Sequence, residues 1–167
     1  VLSSMKYQGI DALLIFRQES MYWLTGYDTF GYVFFQTLIL DQNGNTILLT
    51  RAPDLRQAQN TSNIEDIRIW VDKDGSNPTD DLKIILEELN LKGKKLGVEY
   101  EAYGLTGRNA LRLNKSLENY CSVEDKSDLI TKLRVVKSEE EIIYVKKAAE
   151  LADKALDEVW KHAKAGV

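Results

Sequence analysis

The chain has 167 residues, of which 44% are hydrophobic and 29% are charged, and its formal net charge is −4. This is the composition of one globular domain, and its scattered Lys and Arg residues argue against a basic face for nucleic acid. A single cysteine, Cys121, excludes an internal disulfide and favours a reduced, cytoplasmic setting. No apolar run approaches the ~20 residues of a membrane helix, so we expect no membrane segment.

The first half of the chain predicts three strands and a tight hairpin. Residues 10–16 form a short apolar run after a glycine and are typical of a buried strand. Residues 32–40 are rich in β-branched and aromatic side chains, which favour a packed sheet surface. An Asn-Gly pair at 43–44 then indicates a hairpin turn, and the return strand is predicted at 46–50.

The second half alternates helices with strands through short connections. Pro53 is suited to the first position of a helix, and Thr79 or a neighbour caps the next one. The predicted helices are residues 53–60, 79–92, 106–117 and 126–133, and the predicted strands are residues 66–71, 95–99 and 119–123. This alternation favours a three-layer α/β/α sandwich with a mixed, mainly parallel sheet, to which the hairpin adds one antiparallel pair.

The chain finishes with a long amphipathic helix. Ser138 and Glu141 form the pattern of a capping box, and three consecutive glutamates suit the positive end of the helix dipole. Apolar residues then recur at spacings of three and four as far as Ala163. A helix of about 27 residues would be about 40 Å long. We therefore expect it to reach something that the chain does not contain.

Two segments of the sequence resemble the creatinase/prolidase N-terminal domain. Residues 22–27, Tyr-Trp-Leu-Thr-Gly-Tyr, are similar to the YLTG[YF] segment of that family, and residues 133–142, LRVVKSEEEI, are similar to its R-x-x-K-S-x-x-E-[IL] junction. At this junction the family's N-terminal domain leads into a metal-dependent, pita-bread hydrolase domain. The resemblance implies a ribonuclease H-like fold over residues 1–134, followed at 135–167 by a linker and the first helix of a missing catalytic domain.

The resemblance also implies a parent enzyme that is similar to Xaa-Pro dipeptidases and aminopeptidases. In such enzymes two divalent metal ions (Mn, Co or Zn) are bound in the C-terminal domain by two Asp, one His and two Glu. No residue of this chain matches those positions, so we expect no catalytic residue, metal ligand or cofactor in it, and no activity from it alone. The expected partners are its own catalytic domain, a second copy in a homodimer, and a small peptide or amide substrate.

One loop, at residues 25–32, concentrates aromatic residues, an acid and two glycines. Recognition groups are often carried on loops of a rigid scaffold, and in the resembled family residues near this loop close over the active site of the partner subunit. Packing of the domain is the alternative role. The candidate substrate-binding residues are Tyr27, Asp28, Phe30 and Tyr32. Arg51 is a fifth candidate, because a guanidinium can hold a substrate carboxylate through two parallel hydrogen bonds.

Four other features are interpreted as structural. His162 has no acidic or sulfur partner at a ligand spacing, and Cys121 lies in an apolar-flanked strand. Residues 104–107 lack the spacing and lysine of a phosphate-binding loop. The acidic residues between 72 and 81 lack the order of an EF-hand.

The leading hypothesis is thus a non-catalytic N-terminal domain of a metal-dependent Xaa-Pro peptidase, serving dimerisation and substrate access. One alternative is the same domain in a creatinase- or ectoine-hydrolase-like enzyme that cleaves an amide or another C–N bond. A second alternative is a peptidase-like binding module without catalysis, as in histone-chaperone relatives. The residues that follow position 167 would discriminate between enzyme and binder.

Overall fold

The structure, a computed structural model, describes residues 1–166 and divides into two compact units, Val1–Thr131 and a second one that begins at Lys132. The strands are β1 (Ala12–Ile15), β2 (Thr37–Asp41), β3 (Thr46–Arg51), β4 (Asp66–Trp70), β5 (Lys95–Val98) and β6 (Ser122–Asp125). The α-helices are α1 (Leu2–Tyr7), α2 (Gln18–Thr25), α3 (Leu55–Thr61), α4 (Pro78–Glu88), α5 (Gly107–Leu117), α6 (Ser127–Val135) and α7 (Glu139–His162). Two 3₁₀ turns, Gly31–Val33 and Ala52–Asp54, complete the set.

The six strands form one mixed sheet in the order β4-β3-β2-β1-β5-β6. Strand β2 runs against both of its neighbours, and the other three pairings are parallel. The sheet is therefore mainly parallel, as predicted. It contains two antiparallel pairings rather than the predicted one, because β2 lies between β1 and β3.

Helices cover both faces of this sheet. Side chains alternate between the faces along each strand, so Leu14 joins one buried cluster and Leu13 the other. The first cluster includes Leu86 of α4 and Leu113 of α5. The second includes Met21 of α2, together with buried residues of α1, α3 and α6. These two apolar layers confirm the predicted α/β/α sandwich.

One predicted strand is wrong over its first half. Residues 32–36 are outside the sheet, and β2 begins only at Thr37. The cause lies at Gly31, where a Cβ atom would stand 2.7 Å from a carboxylate oxygen of Asp54. The chain turns tightly at this contact. Aromatic residues at 32 and 34 then face the surface instead of packing in the sheet.

The observed bounds of two other elements differ from the predicted ones. The helix predicted at 79–92 spans Pro78–Glu88, with Asn77 rather than Thr79 at its N-cap. The strand predicted at 119–123 begins at Ser122, because Asn119 has a left-handed backbone (φ 59°) and the N–H of Tyr120 closes a turn onto the carbonyl of Leu117.

The last helix, α7, has the predicted capping box. The N–H of Glu141 donates to the hydroxyl of Ser138 over 3.1 Å, and the Glu141 carboxylate accepts the N–H of Ser138 over 2.7 Å. The helix has 24 residues, fewer than predicted, because Ala163 is already extended. None of its residues is buried. In the part of the chain described, no helix is long and apolar enough to cross a membrane.

Candidate functional site

The loop predicted to carry substrate contacts follows α2 and runs over residues 26–34. Its left-handed Gly26 (φ 78°) ends the helix, and an added Cβ would stand 2.9 Å from the carbonyl oxygen of Thr61. Tyr27 is completely buried, whereas Phe30 is 86% exposed. Asp28 and Tyr32 also reach the surface. The predicted group is thus divided into one internal residue and three external ones.

Tyr27 belongs to a buried polar network beneath the loop. Its hydroxyl lies 3.1 Å from both the Thr29 hydroxyl and the side-chain oxygen of Gln36, and the Thr50 hydroxyl donates to the same oxygen. Burial raises the pKa of the Tyr27 phenol, so the proton stays on it. The amide nitrogen of Gln36 has no hydrogen-bond partner within residues 1–166. This network ties the loop to β2 and β3.

Arg51 lies at the end of β3, and its side chain is held in place by Asp54 and Phe34. Its Nε donates to the Asp54 carboxylate over 3.2 Å, and its guanidinium carbon lies 3.4 Å from the centre of the Phe34 ring. The side chain is only 15% exposed. Its terminal nitrogens donate to no group within the described residues. Arg51 therefore presents two oriented and largely desolvated terminal nitrogens beside the loop.

A cleft opens at the carboxyl ends of β1 and β5. Its volume is about 680 Å³, and it is lined by Phe16, Arg17, Gln18, Glu19, Tyr32, Glu101, Ala102 and Tyr103. These two parallel strands are neighbours, yet the helices that follow them, α2 and α5, cover opposite faces of the sheet. Ligands of open α/β sheets bind at such a point, where the connections diverge.

The floor of this cleft is held by a buried glutamate. The Glu99 carboxylate accepts the backbone N–H groups of Phe16 and Arg17 and the hydroxyl of Ser20. Burial raises the pKa of Glu99, and these donors oppose the shift. The carboxylate thus joins the end of β5 to the first turn of α2 and fixes the course of residues 16–19.

The wall of the cleft brings together two loops that are distant in sequence. The ring of Tyr103 packs edge-on against Tyr32, with 6.3 Å between the ring centres. A Cβ on Gly104 would stand 2.8 Å from the carbonyl oxygen of Phe34, so only glycine permits this approach. Sequence reasoning missed Arg17, Glu101 and Tyr103, because no local motif marks a contact between segments 70 residues apart along the chain.

The surroundings of Cys121 and His162 are consistent with the structural roles predicted for them. Burial raises the pKa of the Cys121 thiol to about 11, which disfavours the reactive thiolate. His162 is exposed on α7, with its Nδ1 2.8 Å from the carbonyl oxygen of Glu158. Among residues 1–166, no three His, Cys, Asp or Glu side chains form a group able to hold a metal ion.

A mixed, mainly parallel sheet with helices on both faces defines an α/β sandwich domain. The chain belongs to the creatinase/prolidase N-terminal domain family, whose model matches residues 1–136. The resemblance predicted from the segments at 22–27 and 133–142 is therefore confirmed.

Similar proteins from bacteria are consistent with this assignment. The chain is 28% identical to an uncharacterized hydrolase/peptidase of Sinorhizobium fredii, over 100% of this chain and 44% of that protein. It is 27% identical to the ectoine hydrolase of Halomonas elongata, over 90% of this chain and 39% of that protein. The chain thus spans less than half the length of these relatives.

The fold is shared with solved structures of this class. An X-Pro aminopeptidase from Thermotoga maritima superposes with a TM-score of 0.79 at 22% identity, over 99% of this chain and 43% of that one. At this identity the likeness concerns the fold alone.

Proposed function

We propose that this chain is the non-catalytic N-terminal domain of a metal-dependent Xaa-Pro peptidase that acts in the cytoplasm. In this proposal residues 1–134 are the domain itself, and residues 135–167 are a linker and the first helix of the catalytic domain. The family match and the superposition on an X-Pro aminopeptidase support the assignment. Both divalent metal ions would be bound by residues outside this chain, since residues 1–166 offer no ligand group.

The observation that carries the proposal is a cluster of exposed apolar side chains beside Arg51. It consists of Phe30, Val33 and Phe34, which all belong to the loop after α2. Exposed apolar side chains that are clustered, rather than scattered singly, are typical of an interaction site. Because this loop is held by the Tyr27 network and by the close approach of Gly104, the surface is preformed. A second subunit placed against this surface would form a homodimer. The surface would then cover the substrate entrance of that second subunit.

Arg51 would then bind the carboxylate of a short peptide. Its two terminal nitrogens are free of partners within the described residues, and Asp54 and Phe34 hold the guanidinium plane in place. Such a plane matches the two oxygens of a carboxylate. A free C-terminal carboxylate distinguishes a dipeptide such as Xaa-Pro from the interior of a longer chain. This residue would therefore contribute to binding and not to bond cleavage.

The test is a kinetic comparison in the full-length protein that carries this domain. We expect Arg51→Met to lower kcat/KM for an Xaa-Pro dipeptide by about 10- to 100-fold, mainly through KM, since a hydrogen bond to a charged group contributes about 1.5–3 kcal/mol. Arg56→Met, an exposed neighbour on α3, should have little effect.

An amidated substrate provides the decisive control. With an Xaa-prolinamide, which has no carboxylate, wild type and Arg51→Met should have similar kinetics. Equal KM values for the Arg51 and Arg56 variants with the free dipeptide would contradict the role of Arg51. Absence of Mn²⁺- or Co²⁺-dependent hydrolysis of any Xaa-Pro peptide by the full-length protein would contradict the proposed function.

A second candidate is an ectoine-hydrolase- or creatinase-like enzyme, favoured by the 27% identity to an ectoine hydrolase. A carboxylate-bearing amide substrate would use Arg51 in the same way. Assays of the full-length protein with ectoine, creatine and Xaa-Pro dipeptides side by side would separate the two. Lack of activity on all three, together with loss of the metal ligands, would favour the peptidase-like binding module.

A further inference from the structure

We propose that the cleft at the carboxyl ends of β1 and β5 binds a small organic cation, through an ammonium or guanidinium group. This inference goes beyond the proposed function, because it requires residues of this chain alone and no second domain. It depends on which hydrogen-bonding groups of the cleft are already engaged within the protein and which remain available.

The one cationic side chain in the cleft lining, Arg17, already makes hydrogen bonds to other groups of the protein. The Nε and Nη2 atoms of Arg17 donate to the carbonyl oxygen of Glu101, Nη2 also donates to the Glu101 carboxylate, and Nη1 donates to the hydroxyl of Thr131. Four of the five N–H groups of this guanidinium are therefore used. An anionic ligand, which an arginine at this position would otherwise favour, would have to displace these bonds.

The cleft lining still has hydrogen-bond acceptors that are available to a ligand. The Glu19 carboxylate, in the first turn of α2, has no hydrogen bond or ion pair with any residue of the described chain. Glu101 engages Arg17 through one oxygen only, and its side chain is 82% exposed. Two carboxylates against one neutralised guanidinium leave the cleft with negative charge and with oxygen atoms that lack donors.

The wall provides a second attraction for a cation. The edge-on Tyr32–Tyr103 pair exposes aromatic faces, and Tyr103 is 80% exposed. The face of such a ring is negative and attracts ammonium and guanidinium groups within about 6 Å. Oxygen acceptors and aromatic faces in the lining of one cleft are the combination that recognises an organic cation.

The cleft is also preorganised. The Glu99 carboxylate holds residues 16–17 by their backbone N–H groups, and Gly104 allows the Tyr103 loop to lie against residues 32–34. Both walls are thus positioned by buried contacts, which lowers the cost of ordering on binding.

The experiment is a titration of the chain itself at low ionic strength, followed by heteronuclear NMR. The probes, each with its α-amino group acetylated, are arginine amide for a guanidinium, lysine amide for an ammonium, and citrulline amide as an uncharged ligand of the same shape. We expect arginine amide or lysine amide to shift signals of residues 16–19 and 101–103 in a saturable manner. Citrulline amide should bind at least threefold more weakly than the better of the two.

Variants with matched controls identify the groups responsible. Tyr103→Ala should weaken binding by about two- to fivefold, the size of an exposed cation–π contact, and Tyr7→Ala, an exposed tyrosine of α1, should not. Glu19→Gln should weaken binding and Glu65→Gln, which removes an exposed carboxylate elsewhere, should not. The inference is overturned if citrulline amide binds equally well, if inorganic phosphate binds the cleft instead, or if the saturable shifts lie elsewhere.

Discussion

At the scale of single residues, the molecule has buried polar groups that support loops, and beside them groups that we propose as ligand contacts. Tyr27 and Glu99 are both buried, and each connects a loop to the sheet through several hydrogen bonds. The proposed contacts lie next to these groups: the largely buried Arg51 is held by Phe34 and Asp54, and the exposed Tyr103 packs against Tyr32. A buried group of this kind influences function through position, so its removal should be detected first in stability.

Glu99 leads to a prediction about pH. Because burial raises its pKa above the value of about 4.3 for an exposed glutamate, the folded protein keeps the proton over a pH range in which the unfolded chain has lost it. The contribution of Glu99 to the free energy of unfolding should therefore be fully present below the unfolded pKa and should be lost as pH rises through the folded pKa. Denaturant titrations of wild type and Glu99→Gln across pH 3–8 would measure this.

Glu99→Gln should lose that part of the pH dependence. The exposed Glu118→Gln variant serves as control and should retain it. A Glu99→Gln profile parallel to that of wild type over the whole range would show that the carboxylate is not protonated on folding.

At the scale of elements, local signals located the hairpin and the capped helices well. The Asn-Gly turn is present, with Gly44 at φ 90° and the Asp41 carboxylate accepting the N–H groups of Asn43 and Asn45. Thr106 caps α5 by accepting the N–H of Asn109. These signals succeed because turn and cap geometry is decided within about four residues of the chain.

The capping box of α7 provides a prediction at this scale. Ser138→Ala should destabilise the first turn by about 0.5–2 kcal/mol, the usual cost of losing such a cap. Amide hydrogen exchange of residues 139–145 would measure it, with Ser3→Ala, an exposed serine of α1, as control. Unchanged protection in Ser138→Ala would indicate that the helix start is held by other contacts.

At the scale of the whole molecule, α7 exposes much apolar surface. Leu156 and Val159 are more than half exposed, and Trp160 is 72% exposed. They continue an apolar stripe that begins at Ile142 with spacings of three and four. Contiguous exposed surface of this kind favours association, and the spacing suits the pairing of two helices.

We therefore predict that the chain self-associates through α7. Sedimentation velocity should show dimers that increase with protein concentration. Trp160→Glu should weaken them, because pairing would bury the new charge. Ile84→Glu, an equivalent change at an exposed position of α4, should not weaken them. A strictly monomeric chain at high concentration would contradict the prediction.

The amino-acid sequence by itself determined the fold class, the family and the capped helices. It did so because hydrophobic periodicity, turn residues and caps act locally, and because the two family segments at 22–27 and 133–142 are contiguous in the chain. It also drew attention to the loop with Phe30 and Tyr32, since glycines and aromatics are concentrated there.

Only the tertiary structure decided how that loop is built and what surrounds it. The contact of Gly31 with Asp54 turns residues 32–36 out of the sheet, against their strand propensity. The cleft beside Tyr32 requires residues from β1, the loop after α2 and the loop after β5. Such contacts join segments that are far apart in sequence, and their geometry follows from the strand order of the sheet, which no local pattern contains.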